Sequence, residues 1–315
     1  MNQALHEAIE RKYIAPTERK AGDFVGVEFE FPLINLRKQP VDLPEVQKIV
    51  KKFAETFHFT DQKIDDNGNL YSLTNPETGD NLSFDCSYNT LELSFGKEGN
   101  IHVLNERFRK FFQALQEEFF EIHHTLTGMG IHPYYKYNTY EPIANDRYRM
   151  LYHHLHAYRN YGNKFYHGIP TFSMLATASQ VQLDVQKEDI LQTLHTFNRL
   201  EPFKAVLFAN SFYDGLPEVI ISRDYLWRYS SQGYNPHNLG MYETDFHNLE
   251  EYFDYVASQS IYCVQKGEKY LHFKPIPLYE YINLDSVTGS YFDAGTWKTS
   301  TFKPEIQDIA HHRSF

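Results

Sequence analysis

The feature that most constrains this chain is an alternation in residues 23–33, DFVGVEFEFPL. Successive side chains of a strand point to opposite faces. Val25, Val27, Phe29 and Phe31 therefore share one face, and Gly26, Glu28 and Glu30 the other. The spacing predicts a strand over 24–33 that Pro32 ends, because proline offers no N–H to a ladder. Its apolar face must be covered. Its other face carries two carboxylates side by side, which repel unless solvent or a cation compensates them.

The cover comes from helical periodicity. Leu104, Phe108, Phe111, Phe112, Leu115, Phe119, Ile122 and Leu126 recur at helix spacing, predicting a long helix over 104–126 stopped by Gly128 and Gly130. Leu43, Val46, Ile49, Val50 and Phe53 predict another over 43–58. Turn signals at 66–68 (DNG), 75–79 (NPETG) and 80–81 predict a hairpin, followed by a strand over 84–95. Further expectations are a strand near 131–135, a helix from an Asn145 or Asp146 cap to about 161, and a strand over 171–185. A helix over 188–210 is expected to break at Pro202, with a short strand at 219–222 and a helix at 250–257 beyond it. The tail is mixed. Residues 1–22 read as a helix and linker, and 23–315 as a single domain. Strands interrupted by long helices without regular βαβ alternation predict an α+β fold with an antiparallel sheet.

The chain has 315 residues and a net charge of −11. Such acidity disfavours nucleic acid as a partner. The 25 Phe and 24 Tyr can build a packed interior and line polar clefts. Cys86 and Cys263 make no disulfide framework or zinc pattern, so a reducing cytoplasm is expected. No apolar run has the length of a membrane span.

Two readings of Glu28 and Glu30 stay open from the pattern alone: the solvent face of an amphipathic strand, or hard oxygen donors for a divalent cation. Glu92, in the alternating Thr90-Leu-Glu-Leu-Ser94, and the nearby Asp85 admit the same two readings. Arg223 is either a surface ion pair with Asp224 or Glu218, or a fork for phosphate oxygens. His153, His154 and His156 crowd one helical turn, where a polar face is the default. His132-Pro133 reads as a turn, and Gly128-Met-Gly130 lacks the rest of a dinucleotide fingerprint. There is no P-loop sequence.

Taken in order, several segments resemble the glutamate–cysteine ligases. Gly26-Val-Glu-Phe-Glu30 looks like the family's opening GxExE strand, and Leu91-Glu-Leu93 its next acidic strand. Met174 to Asp184, MLATASQVQLD, is similar to the segment ending QVNLD, with Gln182 for Asn. Val206-Leu-Phe-Ala-Asn-Ser211, then Ser222-Arg223 and Trp227, is close to the plant and proteobacterial form. Tyr252-Phe-Asp-Tyr255 resembles its EYVDYAL helix, and Asp146-Arg-Tyr148 its GRY motif. The resemblance implies a glutamine-synthetase-like fold, a curved antiparallel sheet lining a funnel with helices outside. It implies an ATP- and Mg²⁺-dependent enzyme joining the glutamate side-chain carboxylate to an amine, with L-cysteine as the acceptor. Glu28, Glu30 and Glu92 would hold Mg²⁺, and Asp85, by its place in the same segment as Glu92, would join them. Gln180, Gln182, Arg223 and Trp227 would meet substrate or nucleotide, and Arg147 and Arg223 would serve the chemistry. The family's late Glu-x-Arg strand has no evident counterpart before the chain ends, unless Arg313 stands in for it. A different acceptor or acid, or a catalytically incomplete regulatory member, are the alternatives.

Overall fold

The computed structural model describes residues 3–161, 166–241 and 245–312; Arg313 lies outside them. The expected α+β character holds: two antiparallel sheets and several helices.

The larger sheet is built on β1 (Val25–Asn35). Along one edge of β1 runs β5 (Thr90–Glu98), followed by β4 (Asn81–Phe84), β3 (Leu70–Thr74) and β2 (Asp61–Ile64). Along the other edge, β6 (His124–Leu126) pairs with the end of β1 and β7 (Ser179–Leu183) with its start. The turns between β2 and β3 and between β3 and β4 are the predicted ones. Gly68 and Gly79 sit there at φ +82° and +75°, where glycine carries no side-chain penalty.

The apolar face of β1 packs as its alternation demands. Phe29 and Phe31 lie 4.6 and 6.3 Å from Phe108, and Phe31 lies 5.1 Å from Phe112. Both partners belong to α3 (Ile101–Glu121). Beside it α2 (Leu43–Phe57) starts at Asp42, whose side chain accepts from the Glu45 N–H. Phe111 joins the two helices to the sheet, ringed by Phe53, Phe57, Phe59 and Phe95 at 5.0–6.0 Å. α3 starts at an Asn100 cap and ends at Glu121, well before Gly128. His123 turns left-handed at φ +58°, and Leu126 belongs to β6.

Other expectations are corrected. No strand forms over 131–135. Ile131 makes an isolated bridge to Ala176. His132 donates to the Leu33 carbonyl and accepts from the Tyr134 N–H, which turns the chain, as its pairing with Pro133 implied. The strand expected over 171–185 is confined to β7, because Phe172–Met174 turns as a buried 3₁₀ segment. Nor is there a strand at 219–222. The Val219 N–H closes on the Leu216 carbonyl, and α6 (Ser222–Arg228) starts at once. α5 (Ile190–Phe208) runs on through Pro202. Its only buried residue is Ile190, and Val206 is 82% exposed.

The second sheet, β11–β10–β9–β8, was not anticipated. It comprises β8 (Ser260–Lys266), β9 (Lys269–Pro277), β10 (Val287–Asp293) and β11 (Thr296–Phe302). Together with α7 (Leu249–Ser258) it forms a second core that receives Leu5, Ile9 and Ile14 of the N-terminal segment. α4 (Asp146–Ala157) touches β9 and β10 and so joins the two halves. No helix of the described residues is long and apolar enough to cross a membrane.

Candidate active site

The polar face of the larger sheet carries the candidate site. Residues directly opposite in neighbouring strands share a face, so the register composes a row. Lys63 of β2 stands opposite Ser72, Ser72 opposite Ser83, Ser83 opposite Glu92, and Glu92 opposite Glu30. On the far side of β1, Gln180 stands opposite Glu28. All of these line one cavity of about 680 Å³. The first turn of α4, with Asn145 as its cap, closes this cavity and contributes Arg147 and Tyr148. A second lobe of about 510 Å³ shares Glu30, Asp85, Arg147 and Tyr148 with the first and extends past Arg223 and Trp227.

Eight of the nine residues singled out from sequence thus line one two-lobed cleft. Gln182 is the exception. It lies one pair along β7, opposite Gly26, and donates to Glu28 Oε1 at 2.9 Å. A Cβ at Gly26 would come within 3.1 Å of the Gln182 side-chain oxygen, so the glycine of the GxExE strand makes room for this contact.

The carboxylates are held under strain. Burial, reinforced by Asp85 and Glu92, pushes Glu30 up to about 8 despite Arg223 and a hydrogen bond from the Ala178 N–H at 2.7 Å. Burial likewise raises Glu92 to about 7. The Ser94 hydroxyl that donates to it and Arg147 pull the other way, against Asp85 and Glu28. Burial and Asp85 raise the Cys86 thiol, leaving it protonated beside the floor. Such crowded, partly buried acids are what a divalent cation relieves, and their hard oxygens match Mg²⁺. The donor chemistry therefore fits the ion. Among the described residues no three acidic, histidine or cysteine side chains form a ready metal-binding group. The floor is a shared carboxylate surface and not a preformed coordination sphere.

The second lobe has the opposite need. Arg223 Nε, Trp227 Nε1, Ser173 Oγ and His154 Nε2 are all buried without a hydrogen-bond partner, and all four residues line it. Buried polar groups left unpaired are costly, so several in one lobe mark where a ligand makes the missing bonds. Arg223 makes no ion pair with Glu218. Its backbone N–H is held by Ser211 Oγ at 3.2 Å, which fixes the start of α6. Ser173 and His154 were not picked out as site residues from sequence. The signal for Ser173 was its adjacency to Met174; His154 stood in the histidine cluster read as a polar helix face, and its burial corrects that reading.

His153 and His272 meet at 2.6 Å, with Trp297 stacked 3.8 Å from His153. They form part of the joint between the sheets and line neither lobe.

The chain is similar to a chloroplastic glutamate–cysteine ligase A of Oryza sativa subsp. indica, 23% identical over 294 residues. The alignment takes in 90% of this chain and 56% of the relative, so the chain spans little more than half the relative's length. The model of glutamate–cysteine ligase family 2 matches residues 24–297, from the carboxylate-bearing strand to the second sheet. The chain belongs to glutamate–cysteine ligase family 2.

Proposed function

We propose that this protein is an ATP-dependent ligase that joins the side-chain carboxylate of glutamate to an amine through an acyl phosphate, within a glutamine-synthetase-like sheet. One observation carries the reading: a crowded carboxylate floor shared by two lobes, one rimmed by cations and the other lined by unpaired donors.

Glu28, Glu30, Glu92 and Asp85 would hold Mg²⁺, which when bound neutralises polyphosphate charge against this acidic floor. Lys63, Arg147 and the amides at the start of α4 supply further positive potential for the phosphates. Arg223 and Trp227 offer N–H donors to an anionic group of the amino-acid substrate from the second lobe. A carboxylate is a poor electrophile. Transfer of the γ-phosphoryl group to it forms a C–O–P linkage and releases ADP. Attack by the neutral amine nitrogen then forms the C–N bond, breaks the C–O bond and releases phosphate, which takes up the proton that the nitrogen loses. The enzyme's share is positioning and charge neutralisation, which is most of what phosphoryl transfer needs. Gln182 restrains Glu28, and Gln180 faces the nucleotide side. Cys86 and Cys263 are not joined in a disulfide, which supports a reducing compartment such as the cytoplasm.

The relative's name makes L-cysteine the first acceptor to test. Phosphate release from Mg·ATP with L-glutamate is measured with and without a panel of amines. Amine-dependent release with a γ-glutamyl product of matching mass is expected. Nucleotide binding without release for any amine would refute catalysis and leave a regulatory member of the family.

A further inference from the structure

The second lobe is larger and more apolar than cysteine needs. Leu151, Leu155, Leu239, Met241 and Tyr262 wall it. Its reactive end is marked by Glu30, Asp85 and Arg147, which it shares with the first lobe. His154 lies seven residues beyond Arg147 on α4, a separation of about 10 Å along the helix axis. It is 1% exposed, stacked on Tyr262 at 4.3 Å and 15°, with Nδ1 toward the Tyr161 hydroxyl at 3.4 Å. Its Nε2 has no partner. Ser173 is 4% exposed, and its hydroxyl is unpaired too.

We propose that the part of this lobe beyond Arg223 and Trp227, which are left to the anionic group of glutamate, is the acceptor subsite, and that it takes a primary amine with an apolar, ring-sized body ending in a neutral hydrogen-bonding group received by His154 and Ser173. The inference rests on the ligase reading and names its acceptor class.

Three arguments support it. Length comes first: cysteine would cover only about half of the roughly 10 Å between the levels of Arg147 and His154, whereas a phenylethyl body covers most of it. Polarity is the second. Burial and the nearby His153 and His272 hold His154 neutral, so no charge waits there for an acid or an ammonium. A charged terminus would be buried unpaired, whereas a hydroxyl or amide satisfies both orphaned groups. Access is the third. Apart from Glu30, Asp85 and Arg147 and from Arg223, which faces Glu30 and Asp85, the lobe's charged lining residues among those described are Glu201 and Asp224, both exposed, and their sign favours entry of a protonated amine.

The test compares L-cysteine, phenethylamine and tyramine, which differ in length and in one terminal hydroxyl. Amine-dependent phosphate release from Mg·ATP and L-glutamate is measured alongside calorimetric binding of each amine. For the wild type, tyramine is expected to exceed phenethylamine by at least about tenfold in kcat/KM and in affinity. In His154→Phe, and in the milder Ser173→Ala, that ratio falls toward one while KM for ATP and glutamate stays put. Cysteine outperforming both amines, or a tyramine preference unchanged in both variants, overturns the subsite. Selective tyramine binding that both variants lose, without turnover of any amine, upholds the subsite and refutes the ligase reading instead. Equal binding of the two amines, with or without turnover, overturns the subsite alone.

Discussion

Replacing Glu30 with glutamine should make the metal-free protein more stable and the enzyme inactive. Glu30 faces Glu92 directly across the β1–β5 pair, with Asp85 near both. Its carboxyl is pushed from 4.5 to about 8, burial being the main cause. A raised acid contributes stability that is fully present below the unfolded value and lost as pH rises through the folded one. Between pH 4.5 and about 8 the metal-free wild type therefore loses stability on this account. At pH 7, holding the proton against an unfolded chain that has released it costs about 3 kcal/mol. Glutamine has nearly the same shape and can still accept from the Ala178 N–H, but it keeps part of the desolvation cost. The net gain should be about 1–3 kcal/mol, or about 2–5 °C in Tm for a chain of this length. The assay is thermal unfolding in chelator at several pH values, paired with Mg²⁺-dependent phosphate release. Glu30→Gln should melt higher at pH 7, converge with wild type near pH 4.5, and show no Mg²⁺-dependent turnover. A variant that melts no higher than wild type at pH 7, or that keeps its turnover, would refute the argument that these carboxylates are crowded for a cation's sake.

Other outcomes follow from the same geometry. Arg223→Lys should lose at least about tenfold in kcat/KM, since an ammonium cannot present the guanidinium's fixed fork of donors; a wild-type rate in steady-state kinetics would return Arg223 to a structural role. Phe111→Ala should cost about 3–5 kcal/mol in urea unfolding, because four aromatic rings close on that side chain and cannot all collapse into the space it leaves. His272 is held down to about 3 by burial and by His153, so its contribution is present above about 6.5 and lost as pH falls toward the folded value. His272→Phe should flatten the fall in stability between pH 6 and 4 by up to about 1.4 kcal/mol per pH unit, and an unchanged slope in urea titrations would count against the buried neutral imidazole.

How much was legible in the sequence divides along a physical line. Strict alternation at 25–31 specified β1, its buried face and its acidic face, because a period of two leaves no other arrangement. The aromatic stripe specified α3 for the same kind of reason, at period 3.6. Where periodicity was weak, local reading failed. Ile131 and the 219–222 segment have strand-like residues but no neighbour to complete a ladder. Phe172–Met174 was bent by burial, and Pro202 did not end an exposed helix. The second sheet was passed over although Gly267 at φ +62° and Gly295 at φ +80° mark its hairpin turns. Its strands alternate poorly because α4, α7 and the N-terminal segment cover them unevenly.

The site shows the same division. Strand geometry by itself put Glu28 and Glu30 on one face and raised Glu92 and Asp85 as companions, and family resemblance added Arg147, Gln180, Arg223 and Trp227. Only tertiary structure could decide that Glu92 stands opposite Glu30, that Gln182 is spent on Glu28, and that the cleft has two lobes. Only it could bring Ser173 and His154 into the second lobe, with their polar atoms unpaired. Register and burial are relations between segments far apart in the chain. A sequence states which side chains a strand or helix can offer, but the desolvation and charge crowding that give them chemistry arise only when those segments meet.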